Sequence, residues 1–203
     1  MNSDLVGNIL AYLGQGGTVM IPLILCSFAM WALILDRMFF FSRLERKDIA
    51  LHALVRILDR DPASKCLVPE GAAGPRAHLA RHVLAHRTND YQVNKRIVDQ
   101  CCMTMVHGLE RYLAAIAVFA AVAPLFGLLG TVTGMITTFD VITLFGTGNA
   151  KAMAGGISEA LVTTQSGLVV AIPGFFMSAL LFRRSHAAKN RLEEAAIIIK
   201  RRL

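Results

Sequence analysis

Three long apolar tracts constrain the fold of this chain more than any other feature of its sequence. The tracts occupy residues 18–35, roughly 112–139 and roughly 156–182. A helix needs about 20 such residues to cross the hydrocarbon core of a bilayer, and each tract is near or beyond that length. The charged fraction of 17% and the mean hydropathy of +0.53 also separate the chain from ordinary soluble domains. The sequence therefore predicts an all-α integral membrane protein with three transmembrane helices and long helical extensions into the cytoplasm.

The distribution of Lys and Arg predicts the orientation of these helices. Of the 21 such residues, 13 lie between Arg37 and Arg111, seven follow Phe182, and Lys151 alone separates the second and third tracts. Because basic loops stay on the cytoplasmic side, residues 37–111 and the C-terminus are predicted to be cytoplasmic and the N-terminus to lie outside. The first tract follows no basic residue, so we do not expect a cleaved signal peptide. The membrane topology and contact with anionic lipid then account for the net charge of +7, and no nucleic-acid partner is expected.

The polar part between the first two tracts is predicted to be helical on both sides of a break. Residues 62–75 contain three prolines and interrupt the helical periodicity. Before them, apolar residues from Leu44 to Leu58 predict a short amphipathic helix. After them, residues 76–110 are predicted to be mostly helical with a break at 88–90, and one uninterrupted helix should run from Gln92 into the second span. In order, the predicted segments are an outer N-terminus at 1–17, spans at 18–41, 112–139 and 156–182, a cytoplasmic helical region at 42–111, an outer loop at 140–155 and a basic cytoplasmic tail at 183–203.

Small and hydroxyl-bearing residues concentrate in the second span. Glycines and threonines at i, i+4 and i+7 from residue 127 share one face, which suits close contact between helices. Thr131 on this face has two open interpretations, because its hydroxyl can bond a carbonyl one turn back or face a hydrated path. Prolines in the second and third spans free backbone carbonyls there. The residues predicted to pack or kink the helices are Gly127, Gly130, Gly134, Pro124 and Pro173.

Glu159 stands within the third apolar tract, where a charge is costly. An ionised side chain at the centre of a bilayer costs at least about 2.5–3.5 kcal/mol, so this carboxylate should face protein or water. The alternative is that Glu159 lies within a turn of the outer interface and reaches the headgroups. Hydroxyl and amide side chains follow it and predict a polar stripe, formed by Thr163, Thr164, Gln165 and Ser166. A polar stripe in an apolar helix implies a wet interior shared by several helices, so we expect a homo-oligomer.

Other chemistry-bearing residues predict no cofactor, metal or enzyme site. His78, His82 and His86 follow one another at four-residue spacing, which could chelate a divalent ion, but Arg residues flank them and no acid or Cys completes the set. The four cysteines suggest neither a disulfide framework nor a zinc site. Asp36 and Arg37 are interpreted as an interfacial anchor. The motifs of hydrolases and phosphate-binding loops are missing from the sequence, so no enzymatic activity is predicted.

The motifs of the second and third spans resemble a known family. GLLGTVTGM at 127–135, followed by GISEALVTTQSGLVVAIP at 156–173, is similar to the two-part signature of the ExbB/TolQ/MotA proton-channel family. The resemblance is specific over roughly 110–184 and extends more loosely to the whole chain. It is closest to ExbB-like members, and the count of three crossings argues against a MotA-type stator, which would have four.

This resemblance implies a function, partners and a location. A ring of such subunits, a pentamer, would enclose an ExbD-like single-span partner with an essential Asp in the bacterial inner membrane. Inward proton flow would then move the partner and, through a TonB-like protein, energise transport across the outer membrane. Residue by residue, Thr131 and Thr164 match the pore threonines, Glu159 matches the acid of the third span, and Pro173 matches its proline.

Two alternatives stay open at this stage. A TolQ-like subunit of the Tol-Pal system would serve envelope constriction instead of import. A non-conducting membrane scaffold would use the glycines for packing and pair Glu159 with a neighbour.

Overall fold

All regular structure in the described residues, 16–46, 48–52, 74–88 and 90–202, is helical in this computed structural model. The helices α1, α4 and α5 are long and apolar enough to cross a membrane, by length and composition. The prediction of an all-α membrane fold with three spanning helices is therefore confirmed. In chain order the elements are α1 (Met20–Arg46), α2 (Pro75–Ala85), α3 (Tyr91–Glu110), α4 (Leu113–Phe145), a 3-10 turn (Gly146–Gly148) and α5 (Ala150–Arg202).

The connection between α4 and α5 is much shorter than the predicted loop at 140–155. Helix α4 runs to Phe145 and α5 starts at Ala150, so only residues 146–149 separate the two helices. Gly146 turns the chain with a positive φ of 67°. Asn149 then accepts a hydrogen bond from the N–H of Ala152 through its side chain, at 3.2 Å. The two helices therefore form an antiparallel hairpin with a tight turn.

The chain divides into two compact units, and the first consists of Met1–Ile34 and Ala114–Ser178. In its described part, Met20 and Leu23 of α1 form a buried cluster with Ala123 of α4 and Ala171 of α5. Pro124 and Pro173 lie inside α4 and α5 without ending them. In the apolar windows of the three spanning helices only 28%, 33% and 28% of residues are buried. The remaining apolar surface requires lipid or other protein chains to cover it.

The second unit consists of Leu35–Leu113 and Ala179–Leu203 and contains a core of its own. This core is formed by Leu79, Ala80 and Val83 of α2, Val98 and Cys101 of α3, and Leu192, Ala195, Ala196 and Ile199 of α5. Ion pairs surround it and join α5 to the other two helices, namely Arg76–Glu194 at 2.6 Å, Lys189–Glu110 and Lys200–Asp99. The end of α5 is thus packed as an amphipathic helix of a soluble domain would be.

The predicted break at 88–90 is confirmed, because α2 ends at Ala85 and α3 begins at Tyr91. Asp90 caps α3 by accepting a hydrogen bond from the N–H of Gln92 at 2.8 Å. Asn94, which is 3% exposed, accepts from the N–H of Thr88 at 2.8 Å and donates to its carbonyl at 2.6 Å. Side chains therefore satisfy the backbone where the helix is interrupted.

The prediction of one uninterrupted helix from Gln92 into the second span is wrong. Helix α3 ends at Glu110 and α4 begins at Leu113, with Tyr112 at a φ of +65°. Arg37 lies at this break: it donates to the carbonyl of Gly108 at 3.2 Å, and its guanidinium stacks 5.1 Å from the ring of Tyr112. A cation that bonds a carbonyl of the last turn stabilises the end of a helix.

The amphipathic helix predicted between Leu44 and Leu58 falls mostly outside the described residues. Within them, α1 extends to Arg46, and residues 48–50 are not helical. Asp48 accepts hydrogen bonds through one carboxylate oxygen from the N–H groups of Ile49, at 3.0 Å, and Arg76, at 3.3 Å. This carboxylate therefore joins the segment after α1 to the start of α2.

Candidate functional site

Glycines allow α4 and α5 to approach closely in the first unit. A Cβ atom added to Gly130 would lie 2.2 Å from the hydroxyl oxygen of Thr163. One added to Gly134 would lie 2.6 Å from the carbonyl oxygen of Gly156, and one added to Gly156 would lie 2.3 Å from the hydroxyl oxygen of Thr138. Such approaches exclude any side chain unless the helices move apart. Small residues at a helix interface have this role in membranes, where backbones gain packing contacts by close approach.

Two adjacent threonines of α5 face the glycines of α4. Thr163 is only 1% exposed, and its hydroxyl donates to the carbonyls of Glu159 and Ala160, both at 3.0 Å. The hydroxyl of Thr164 donates to Ala160 at 2.9 Å and lies 3.5 Å from the carbonyl oxygen of Gly127 on α4. Each hydroxyl hydrogen is therefore used within the helix pair, while the oxygens keep lone pairs that can accept a hydrogen bond.

Thr131 bonds its own helix in the single chain. Its hydroxyl donates to the carbonyl of Leu128 at 2.7 Å, and the residue is partly buried. This is the local hydrogen bond that Ser and Thr commonly form in apolar helices. The bond leaves the hydroxyl oxygen available as an acceptor, so it is compatible with a polar path.

Glu159 lies beside the start of α1. A Cβ atom added to Gly17 would lie 1.7 Å from Oε1 of Glu159 and 2.6 Å from its Cδ. Gly17 has a φ of +63° and precedes the first turn of α1, where the N–H of Met20 donates to its carbonyl at 3.3 Å. Glu159 is partly buried, and its carboxylate lies beside the turn that precedes α1. The start of a helix has a positive partial charge, which favours a nearby carboxylate.

The predicted polar stripe on α5 is divided in the structure. Thr163 points to Gly130, whereas Gln165 and Ser166 line a groove of about 560 Å³ between α5 and α1, together with Ser27. Successive residues of a helix are 100° apart, so neighbours in sequence face different partners. Within one chain the stripe is therefore covered in part by α4 and in part by α1.

The three residues predicted to form the path do not bond one another. Within the described part of one chain, no hydrogen bond joins the side chains of Thr131, Glu159 and Thr164. Thr164 lies against the face of α4 that carries Gly127, one turn from Thr131.

The sequence interpretation missed Gly17, although two consecutive glycines before the first apolar tract are a turn signal.

The second unit contains the histidines and most of the described cysteines. The rings of His82 and His86 stack with centroids 4.5 Å apart, and no group of three His, Cys, Asp or Glu among the described residues could hold a metal.

Burial raises the pKa of the Cys102 thiol to about 11, and the neighbouring Cys101 adds to this shift. The hydrogen bond and charge of Lys189 lower the pKa of Glu110.

Fold and site together define a class of protein. Three apolar helices, a hairpin packed through glycines and a carboxylate, Glu159, within the third apolar tract are typical of a multi-span membrane protein that moves ions. The chain belongs to the MotA/TolQ/ExbB proton channel family, whose model matches residues 72–194. This family comprises transport channels and is not a class of enzymes.

Relatives named ExbB match most of the chain. A biopolymer transport protein ExbB of Salmonella typhimurium is 32% identical over 196 residues, which cover 88% of this chain and 77% of the relative. The protein exbB1 of Vibrio cholerae is 30% identical over 173 residues, covering 82% of this chain and 76% of its own length. A biopolymer transport protein ExbB-like 3 of Synechocystis is 32% identical over 161 residues, or 77% of each chain.

Proposed function

We propose that this chain is an ExbB-like subunit of a proton-driven motor in the bacterial inner membrane, and that the motor energises TonB-dependent transport across the outer membrane. The observation that carries the proposal is Glu159, a partly buried carboxylate within the helix hairpin of a proton-channel family member. The names of the compared relatives, all biopolymer transport proteins, support import over a TolQ-like role in envelope constriction.

In this proposal three side chains carry the proton path. Glu159 gains and releases a proton, while the hydroxyl oxygens of Thr131 and Thr164 accept hydrogen bonds from water along the path. Thr163, Gln165 and Ser166 provide further polar contacts. Moving one charge through 100 mV is worth about 2.3 kcal/mol, so several protons per cycle supply enough free energy to move a partner helix.

The path requires several copies of the chain. One hairpin has large exposed apolar side chains on α4, such as Leu128 and Val132, and cannot enclose water by itself. A ring of identical copies, a pentamer, would enclose an ExbD-like partner whose single span carries an essential Asp. A TonB-like protein would pass the movement on. The N-terminus and residues 146–149 would lie in the periplasm and the C-terminal end of α5 in the cytoplasm, where lipid headgroups meet its basic residues.

The test uses two conservative substitutions in a strain that lacks the native subunit. Glu159→Gln removes the titratable group but keeps the side-chain size, and Thr164→Val removes one hydroxyl. We expect both variants to insert and assemble normally, while energy-dependent uptake and proton flux into vesicles containing the assembled complex fall towards the level without the subunit.

Matched controls on the same helices should behave as the wild type. Glu193→Gln changes an exposed acid of α5, and Thr143→Val removes an exposed hydroxyl of α4 that bonds the carbonyl of Asp140 at 2.8 Å. Wild-type uptake and flux in a stably assembled Glu159→Gln variant would instead support a non-conducting scaffold.

A further inference from the structure

The Glu159 carboxyl of α5 lies beside Gly17, in the turn that precedes α1. A normal contact between a carbon and an oxygen is roughly twice the 1.7 Å at which a Gly17 Cβ would meet Oε1. The same added atom would lie 2.6 Å from Cδ and 3.4 Å from Cγ, so the whole carboxyl group occupies the space of a missing side chain. Any residue other than glycine would displace this carboxyl.

The backbone at Gly17 gives a second reason for glycine at this position. Its φ of +63° is in the left-handed region, which side chains with a Cβ disfavour. Gly17 lies in the turn of residues 16–19 that precedes α1, whose helical residues start at Met20. The turn thereby places the missing side chain of Gly17 at the position of the Glu159 carboxyl group.

From these distances we propose that Gly17 is a positioning residue of the proton path, and that its lack of a side chain leaves room for the Glu159 carboxyl beside the turn that precedes α1. This inference rests on the proposed function, because it assigns Glu159 the role of proton carrier. It extends the site beyond α4 and α5, which carry Thr131 and Thr164, to the turn that precedes α1. A displaced Glu159 carboxyl would change the distances over which its proton must pass.

The chain offers a matched control for the strain of a left-handed alanine. Gly146 has a φ of +67°, but an added Cβ there would meet nothing within 4 Å. Gly17→Ala and Gly146→Ala therefore introduce the same backbone cost in the same unit, and only the first displaces Glu159. We expect Gly146→Ala to retain the proton flux of the wild type and Gly17→Ala to lose most of it at equal amounts of assembled complex.

A double substitution separates displacement of the carboxyl from other effects. Aspartate is shorter than glutamate by one methylene group, so Glu159→Asp withdraws the carboxyl from an added methyl group. We expect the combination of Gly17→Ala with Glu159→Asp to conduct better than Gly17→Ala alone. Equal flux in Gly17→Ala and Gly146→Ala, whether high or low, would overturn the inference, and so would a double variant with no recovery.

A cross-linking measurement tests the contact even if Gly17→Ala does not assemble. In a chain whose native cysteines are replaced, Gly17→Cys with Glu159→Cys should form a disulfide on mild oxidation of the membrane, whereas Gly146→Cys with Glu159→Cys should not. Failure of the first pair would overturn the inference. Normal proton flux in Glu159→Gln would overturn the proposed function itself. If Glu159→Gln has lost its proton flux while Gly17→Ala keeps that of the wild type, only the role of Gly17 is overturned.

Discussion

Cys102 illustrates how packing in the second unit changes the chemistry of one side chain. Burial and the adjacent Cys101 raise its pKa to about 11, from an ordinary value of 9.0. The thiolate is the reactive form, so at pH 8 roughly 100-fold less of Cys102 is reactive in the folded chain than in the unfolded chain. We predict that iodoacetamide modifies Cys102 slowly at pH 8, and that the rate rises as the pH approaches 11. Mass spectrometry of the peptide that contains Cys102 measures this rate.

The same chain in denaturant is the control for this prediction. Unfolding removes the burial, so the rate at pH 8 should rise by roughly two orders of magnitude and its pH profile should shift towards 9. Equal rates in the folded and denatured chains would show that the thiol is not buried.

Tyr112 has a strained backbone conformation, which two neighbouring cations help to stabilise. A residue with a Cβ at a φ near +65° costs about 1–3 kcal/mol. Two guanidinium groups flank its ring, that of Arg37 at 5.1 Å and that of Arg111 at 4.6 Å. A cation over an aromatic ring contributes about 0.5–2 kcal/mol, depending on its exposure. The attraction of the two cations is therefore of the same order as the strain.

At the scale of helices, the close contact of α4 with α5 predicts that glycine-to-alanine substitutions change stability in opposite directions at two positions. A Cβ at Gly134 would lie 2.6 Å from a backbone oxygen and 2.8 Å from a backbone nitrogen, neither of which can rotate away. We predict that Gly134→Ala destabilises the hairpin by about 1–3 kcal/mol. Thermal unfolding of the purified chain in detergent measures the change.

Gly155 provides the comparison for this substitution. It lies in α5, and an added Cβ there would meet no atom within 4 Å. Alanine is a better helix former than glycine, so Gly155→Ala should leave stability unchanged or raise it by about 0.5–1 kcal/mol. A similar loss of stability in both variants would argue against a close approach of the helices at Gly134.

The helices were predictable where the sequence contains a local signal. Hydrophobic length predicts the spanning helices, and the polar residues at 88–90 predict the break between α2 and α3. The break at Tyr112 has no such signal, because tyrosine is neither a turn former nor a helix breaker. Arg37, which contacts the Tyr112 ring at this break, is far away in sequence and meets it only after the chain has folded.

The site was predictable only in part for a related reason. An acid and several hydroxyls in an apolar tract are visible in the sequence, and so is the helical spacing of Gly127, Thr131 and Gly134. The side of α5 that each polar residue faces depends on which helices pack against it. The contact of Glu159 with Gly17 therefore required the fold, although each residue is unusual in the sequence.

For the whole molecule, the distribution of basic residues predicts a topology that labelling can test. Gly148 lies in the turn between α4 and α5, and His186 lies in the half of α5 that follows the span; both are exposed. In intact cells a membrane-impermeant maleimide should label Gly148→Cys, and it should label His186→Cys only after permeabilisation. Each variant is made in a chain without native cysteines, which serves as the unlabelled control. The reverse pattern would contradict the proposed orientation.

Salt should have little effect on the packing of the second unit, although three ion pairs surround its core. The acids of these pairs, Glu194, Glu110 and Asp99, are 48%, 53% and 46% exposed. Such pairs contribute about 0–1 kcal/mol each. At 1 M ionic strength the Debye length is about 3 Å, so the attraction between exposed charges is largely screened. The apolar core does not depend on these charges, and it is strengthened by salts such as sulfate. Concentrated-salt washes, which strip peripheral proteins from membranes during purification, should therefore leave this unit folded.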